Sequence, residues 1–378
     1  MRFALFFSSI VLALACGDDA GPVDSGNDAA VVDSGPRPDT NPTPDSGPRP
    51  DAGPRDAGRD AGPRDAGPDT SADAGPGFLD TYPLMAVHPE GGTYDAENHR
   101  FFMGSLVGGE LRSVDAETGE DTLFYTPTDE GSWWTLGMDV DETRNRLWVC
   151  AMDDLRETGG EPPYDGYVWV FDTESGERVA NIDLSVVDVE ASCTDVAVHS
   201  DGSAYVTDRD KGNIYRVTED GEPELFVNDF LLEGLLGQNA AVIDEARQLL
   251  LVIVYLPSRL IRVPLTGTGR VREVNLNGAF NDASPALSGA DGMVMTPDGN
   301  LLVAFTSQVT RVVPATSDWM NADATTVEVV PTAGNTDVIA AGAEVFLLNG
   351  QAVRFAVEAE PDPFTLTRFD VALFDADE

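Results

Sequence analysis

The stretch Asp195-Val-Ala-Val-His-Ser-Asp-Gly-Ser-Ala-Tyr-Val-Thr207 reads as a β-hairpin. Two short apolar runs flank Ser200-Asp-Gly202, and an Asp-Gly pair between such runs marks a tight turn, because glycine accepts the positive φ that the turn demands. A third run, Gly212-Asn-Ile-Tyr-Arg-Val217, follows at hairpin distance. Strands of four or five residues do not stand alone, so this unit needs neighbours.

The unit recurs about every fifty residues on both sides. Before it come Glu90-Gly-Gly-Thr-Tyr-Asp95 with Arg100-Phe-Phe-Met-Gly-Ser-Leu106 and Glu110-Leu-Arg-Ser-Val114, then Leu136-Gly-Met-Asp-Val-Asp141 with Arg146-Leu-Trp-Val-Cys150 and Tyr167-Val-Trp-Val-Phe171. After it come Asn239-Ala-Ala-Val-Ile-Asp244 with Leu249-Leu-Leu-Val252 and Arg259-Leu-Ile-Arg-Val263, then Asp291-Gly-Met-Val-Met295 with Leu301-Leu-Val-Ala304 and Thr310-Arg-Val-Val313. The last copy is Asp337-Val-Ile-Ala340, Glu344-Val-Phe-Leu-Leu348 and Ala352-Val-Arg-Phe355, the third run read as a strand. Six such repeats predict an all-β chain whose residues 78–378 form a six-bladed β-propeller, a ring of four-stranded sheets. Segments 78–87 and 364–374 are strand-like remainders, and one of them is expected to complete the blade begun at the other terminus.

The ring is preceded by a different kind of chain. Residues 1–15 resemble a bacterial lipoprotein signal peptide: Met1-Arg2, an apolar run, then Leu12-Ala-Leu-Ala-Cys16, with Ala13 where leucine or valine is usual. The resemblance implies lipidation of Cys16, export, and anchoring in the cell envelope, at the outer membrane, facing the periplasm or the surface. An ordinary secretory signal is the alternative. Residues 16–77 repeat Asp-Ala-Gly and Pro-Arg units with no apolar side chain larger than Val23, Val31 and Val32, and nothing there offsets the entropy of ordering a chain. A disordered tether is expected, able to reach more than about 100 Å if largely polyproline II.

Acids outnumber bases 66 to 23, for a net charge of -43. Most of the excess belongs to the ring, where residues 78–378 hold 53 acids and 17 bases. This excludes a nucleic-acid partner, which needs clustered Lys and Arg. Contact with a membrane is expected through the N-terminal lipid only, and a monomer is expected.

In a propeller the first strand of each blade lines the axis. The residues opening those strands are Glu90, Leu136, Asp195, Asn239, Asp291 and Asp337. Oxygen donors converging without cysteine or imidazole suit a divalent cation such as Ca²⁺. Asp and Asn before a strand also cap backbone groups, and that reading stays open.

Pro89-Glu-Gly91, Phe102-Met-Gly-Ser105, Gln238-Asn239, Ala290-Asp-Gly-Met293 and Pro297-Asp-Gly-Asn-Leu-Leu-Val-Ala304 resemble motifs of the SMP-30/gluconolactonase/luciferin-regenerating-enzyme family. The resemblance implies that Glu90, Asn239 and Asp291 hold the cation, that Asp291 is also the catalytic acid/base, and that Asp195 helps to hold substrate. Three departures stand out: Asp195 replaces the family's asparagine, the family's Cys-containing segment near the fifth blade is absent, and Ala240 stands where a glycine usually follows Asn239. The implied chemistry is cation-dependent hydrolysis of a lactone or related ester. The rival is a propeller without catalysis that binds a sugar, peptide or protein through its loop-rich face, and fold alone does not decide between them.

The loops expected on that face are 152–166, 182–192, 226–237 and 275–289. Trp133 and Trp134 precede Leu136 and are candidates to border the mouth for a cyclic, carbohydrate-like ligand; His88, two residues before Glu90, is a candidate second contributor. His99 and His199 fall in outer turns, where exposure is the expectation. Cys150 and Cys193 lie in neighbouring blades and are candidates for a disulfide.

Overall fold

The computed structural model describes residues 77–128, 131–153, 166–267, 269–281, 289–329, 334–356 and 358–375. The leader, Cys16 and the tether up to residue 76 lie outside these residues, as do the middles of the 152–166 and 275–289 loops.

The described chain is a six-bladed propeller. The first strands are Gly92–Asp95, Trp133–Asp141, Val196–Val198, Leu235–Asp244, Met293–Met295 and Asn335–Ala341. They touch one another in cyclic order, the sixth against the first, and each heads an antiparallel sheet. The hairpin at Asp195 shows the local cause. Val196 to Val198 pair with Val206 to Ala204, and Gly202 takes φ +89° in the turn. Asp201 fixes that turn by accepting from the Ser203 amide at 2.9 Å and the Ser203 hydroxyl at 2.6 Å.

Apolar side chains on both faces of the strands fill the gaps between blades. Phe102 and Leu111 of the first blade meet Trp133, Leu147, Trp169 and Phe171 of the second. Each such large side chain, fully buried, contributes roughly 1.5–3 kcal/mol. The sixth blade closes the ring: Thr81–Pro83 lies outside Thr365–Phe369, with Tyr82 opposite Leu366. The Tyr82 hydroxyl, wholly buried, donates to the Ala116 carbonyl of the first blade at 2.6 Å.

Three details differ from the sequence reading. Ala352–Ala356 is a short helix, α1, and the third strand of the sixth blade is Thr365–Phe369. The excursion between them is stapled by Gln351, whose side-chain amide donates to the Asp362 carbonyl at 3.0 Å and accepts from its N–H at 2.9 Å. Asn275–Asn277 is an added strand, parallel to Asn321–Glu328 on the rim of the fifth blade. His99 is half-buried, its Nδ1 2.6 Å from the Tyr94 hydroxyl and its ring packed on Phe78.

Candidate functional site

Glu90, Leu136, Asp195, Asn239, Asp291 and Asp337 all line one cavity of about 520 Å³ on the ring axis. Although four of these carry carboxylates, they do two different jobs.

Asp195 and Asp337 clamp blades together. Asp195 accepts from its own neighbour Val196 N–H and from Ala241 N–H of the next blade, both at 2.8 Å. Asp337 does the same with Val338 at 2.8 Å and, across the ring closure, with Gly92 at 2.9 Å. Asp139, an acid inside the first strand of the second blade that the sequence does not single out, repeats the device with Val140 at 2.9 Å and Val198 at 2.8 Å. The backbone-capping alternative therefore describes Asp195 and Asp337, with both oxygens of each engaged.

Glu90, Asn239 and Asp291 hold no such clamp. Asp291 accepts from the Asn239 side-chain amide, and Glu90 Oε2 is buried with no hydrogen-bond partner among the described residues. What separates the two groups is the preceding blade. A Cβ on Gly137 would lie 2.7 Å from the Asp195 Cα, and one on Gly292 would lie 2.5 Å from the Asp337 Cα; both would also overlap the carboxylate itself. Glycine thus leaves space for a clamping aspartate to fold over it. At the corresponding positions before Asn239, Asp291 and Glu90 stand Val196, Ala240 and Val338, each with a side chain. Ala240, the residue that follows Asn239, is one of these three.

Burial raises all five acidic groups at the axis, and the Asp337 charge adds to the rise at Glu90, Asp291 and Asp195. Burial, then Asp291 and Asp337, lifts the Glu90 carboxyl well above its usual range. Burial and then Asp337 lift Asp291, against the hydrogen bond from Asn239. Burial raises Asp195 well above its usual value, Asp337 to about 7 and Asp139 to about 6, in each case against the amides they hold. The single Arg or Lys lining the described cavity is Arg209, which sits 3.5 Å from Asp210. The described lining of the axis is strongly acidic. Among the described residues no group of three or more His, Cys, Asp or Glu is arranged around one point; the unclamped set has two carboxylates and one amide. The donor chemistry fits a hard divalent ion, and the orphaned Glu90 oxygen is the observation that favours one.

The remaining candidates divide. Trp134 lines the cavity, whereas Trp133 is packed edge-on against Trp169 and Tyr167 in the core. His88 is buried beside the mouth without lining it; its Nδ1 lies 3.0 Å from the Gly350 carbonyl and its ring rests on Phe355 and Phe364. Cys150 and Cys193 form a disulfide with Cα atoms 5.1 Å apart, tying the second blade to the entry of the third just before Asp195. Phe355 on α1 reaches the cavity, a residue hidden from the sequence reading by its assignment to a strand.

Comparison with curated proteins finds no match. The fold is similar to that of the Malassezia sympodialis allergen Mala s 1, with 15% identity, 78% of this chain and 97% of that chain covered, and TM-score 0.62. It is similar to a gluconolactonase from Xanthomonas campestris at 14% identity, 76% and 88% coverage and TM-score 0.51. It is also similar to regucalcin, a calcium-binding protein from Agrobacterium tumefaciens, at 17% identity, 77% and 94% coverage and TM-score 0.50. The model of the SMP-30/Gluconolactonase/LRE-like region matches residues 88–344, from four residues ahead of the first strand to the first residue of the sixth blade's second strand, and the chain belongs to that family.

Proposed function

We propose that the propeller hydrolyses a lactone or related ester with the help of a divalent cation, Ca²⁺ by its donor set, held by Glu90, Asn239 and Asp291. The observation that carries this reading is the pairing of an unpartnered, buried Glu90 oxygen with the Asn239–Asp291 hydrogen bond in one axial cavity. Relatives described as a gluconolactonase and as calcium-binding regucalcin support it. When bound, the cation would polarise the acyl carbonyl and acidify the attacking water.

Asp291 is the group placed to take the proton. Burial and Asp337 make its carboxylate more basic than a solvated one, which suits a general base near neutral pH. Water adds to the acyl carbon, the bond to the ring oxygen breaks, and the proton passes from Asp291 to the departing alkoxide. One lactone and one water give one hydroxy acid. Asn239, bonded to Asp291, fixes the orientation of that carboxylate.

A lactone panel assayed on the full chain with Ca²⁺ and with chelator tests this. Turnover that needs Ca²⁺ and falls at least about a hundredfold in Asp291→Asn is expected from the loss of an acid/base. Turnover indifferent to both would overturn it. The rival, a propeller that binds a sugar, peptide or protein without catalysis, is favoured by one observation: Asp195, the implied substrate contact, has both oxygens committed to backbone. Ligand binding at the mouth without turnover would select it.

For location, we propose attachment to the cell envelope through a lipid on Cys16, with residues 17–77 as spacer. Mass spectrometry of the mature N-terminus checks it, and an unmodified N-terminus beyond Cys16 would overturn it.

A further inference from the structure

Six first strands in a closed ring place the second blade diametrically opposite the fifth. Leu136 therefore faces Asp291 across the mouth. Leu136 is not alone there. The first two strands of the second blade, Trp133–Asp141 and Arg146–Asp153, are nine and eight residues long, against four each in the first blade. Their extra length carries Trp134 and Met152, which are cross-strand partners, to the rim of the cavity. From the sixth blade, α1 reaches over the first, and Phe355 meets the Trp134 ring edge-on at 5.7 Å. Leu106 of the first blade packs into the same apolar cluster.

We infer that Trp134, Leu136, Met152 and Phe355 form an apolar wall opposite Asp291, and that the wall selects a lactone or ester bearing an alkyl or aryl substituent over a polyhydroxylated sugar lactone. The inference rests on the proposed hydrolytic reading for the position of the acyl group. With the acyl carbon held at Glu90, Asn239 and Asp291, whatever projects across the axis meets this wall. A sugar would press several hydroxyls against a wall whose one strong hydrogen-bonding group is the Trp134 indole N–H, and each further buried hydroxyl left unpaired is costly. An alkyl or aryl group would instead replace water there. Hydroxyl-binding groups sit elsewhere on the ring: Arg209 and Tyr255 belong to the third and fourth blades.

The test uses non-reacting probes, so that it does not depend on catalysis. Calorimetry on the full chain compares a δ-lactam carrying a heptyl chain with the lactam analogue of gluconolactone, in Ca²⁺. The heptyl lactam is expected to bind at least about tenfold more tightly, the scale of apolar pocket discrimination. Leu136→Ala and Phe355→Ala are each expected to reduce that preference several-fold while leaving Ca²⁺ affinity unchanged; Phe355 stands on an added helix, so its truncation opens the apolar cluster but leaves every strand pairing of the blades in place. Equal binding of the two probes, or a preference that neither variant alters, would overturn the wall. Retained preference with no lactone turnover would sink the hydrolase and leave the wall standing.

Discussion

Asp337 of the sixth blade accepts the backbone N–H of Gly92 in the first at 2.9 Å, a bond spanning 245 residues that fastens the two ends of the ring at its axis. Thr81–Pro83, the outer strand of the sixth blade, adds a second tie through the Tyr82 hydroxyl to the Ala116 carbonyl of the first. Asp337→Ala leaves two buried amides without acceptors and is expected to lower unfolding free energy by about 2 kcal/mol. Urea denaturation measures this. An unchanged midpoint would show that the axial clamp contributes nothing.

Gly292→Ala should do comparable harm by a different route. The new Cβ would meet the Asp337 Cα at 2.5 Å, backbone that cannot swing aside, and would push the carboxylate off its amides. A loss of stability of about 1–3 kcal/mol is expected from such overpacking. Because Gly292 adjoins Asp291, Ca²⁺ affinity should fall as well. A variant as stable as the parent, with the same affinity, would remove the account of why glycine precedes a clamping aspartate.

This division shows what the sequence reveals and what it conceals. The blades are legible because Asp201-Gly202 and its counterparts punctuate apolar runs at a steady spacing, and turn chemistry is local. Asp195 and Asp291 look alike by the same means, being one residue type in one register. Their roles part company only through Gly137 and Ala240, about fifty residues earlier in each case and in another blade. Asp139 does not stand out in the sequence because it lies inside an apolar strand, three residues past the mouth position. Ala352-Val-Arg-Phe355 is too short for its period to distinguish strand from helix; contacts of Phe355 with Trp134 and His88 accompany the helix.

The axial carboxylates also set the pH dependence. Asp139 and Asp337 stand at about 6 and about 7 in the folded chain, raised from 3.8 by burial. Between those values the folded chain keeps protons that the unfolded chain has released. Their contribution to stability is therefore full below about pH 4 and is lost as pH rises through about 6 and then about 7. Asp115 and Asp188, lowered by hydrogen bonds from Thr118 and Lys211, act the other way, and their contribution fades as pH falls below their usual carboxylate range. Without divalent ions the urea midpoint should be higher at pH 5 than at pH 8. A higher midpoint at pH 8 would contradict burial as the force that sets these two carboxyls.

The most direct measurement is calorimetric titration of Ca²⁺ into the full chain and into Asp291→Ala. One site on the parent is expected, weakened at least about tenfold in the variant, as removal of a charged ligand from a hard-cation site requires. No uptake by the parent, or equal uptake by both, would contradict a cation held by Glu90, Asn239 and Asp291.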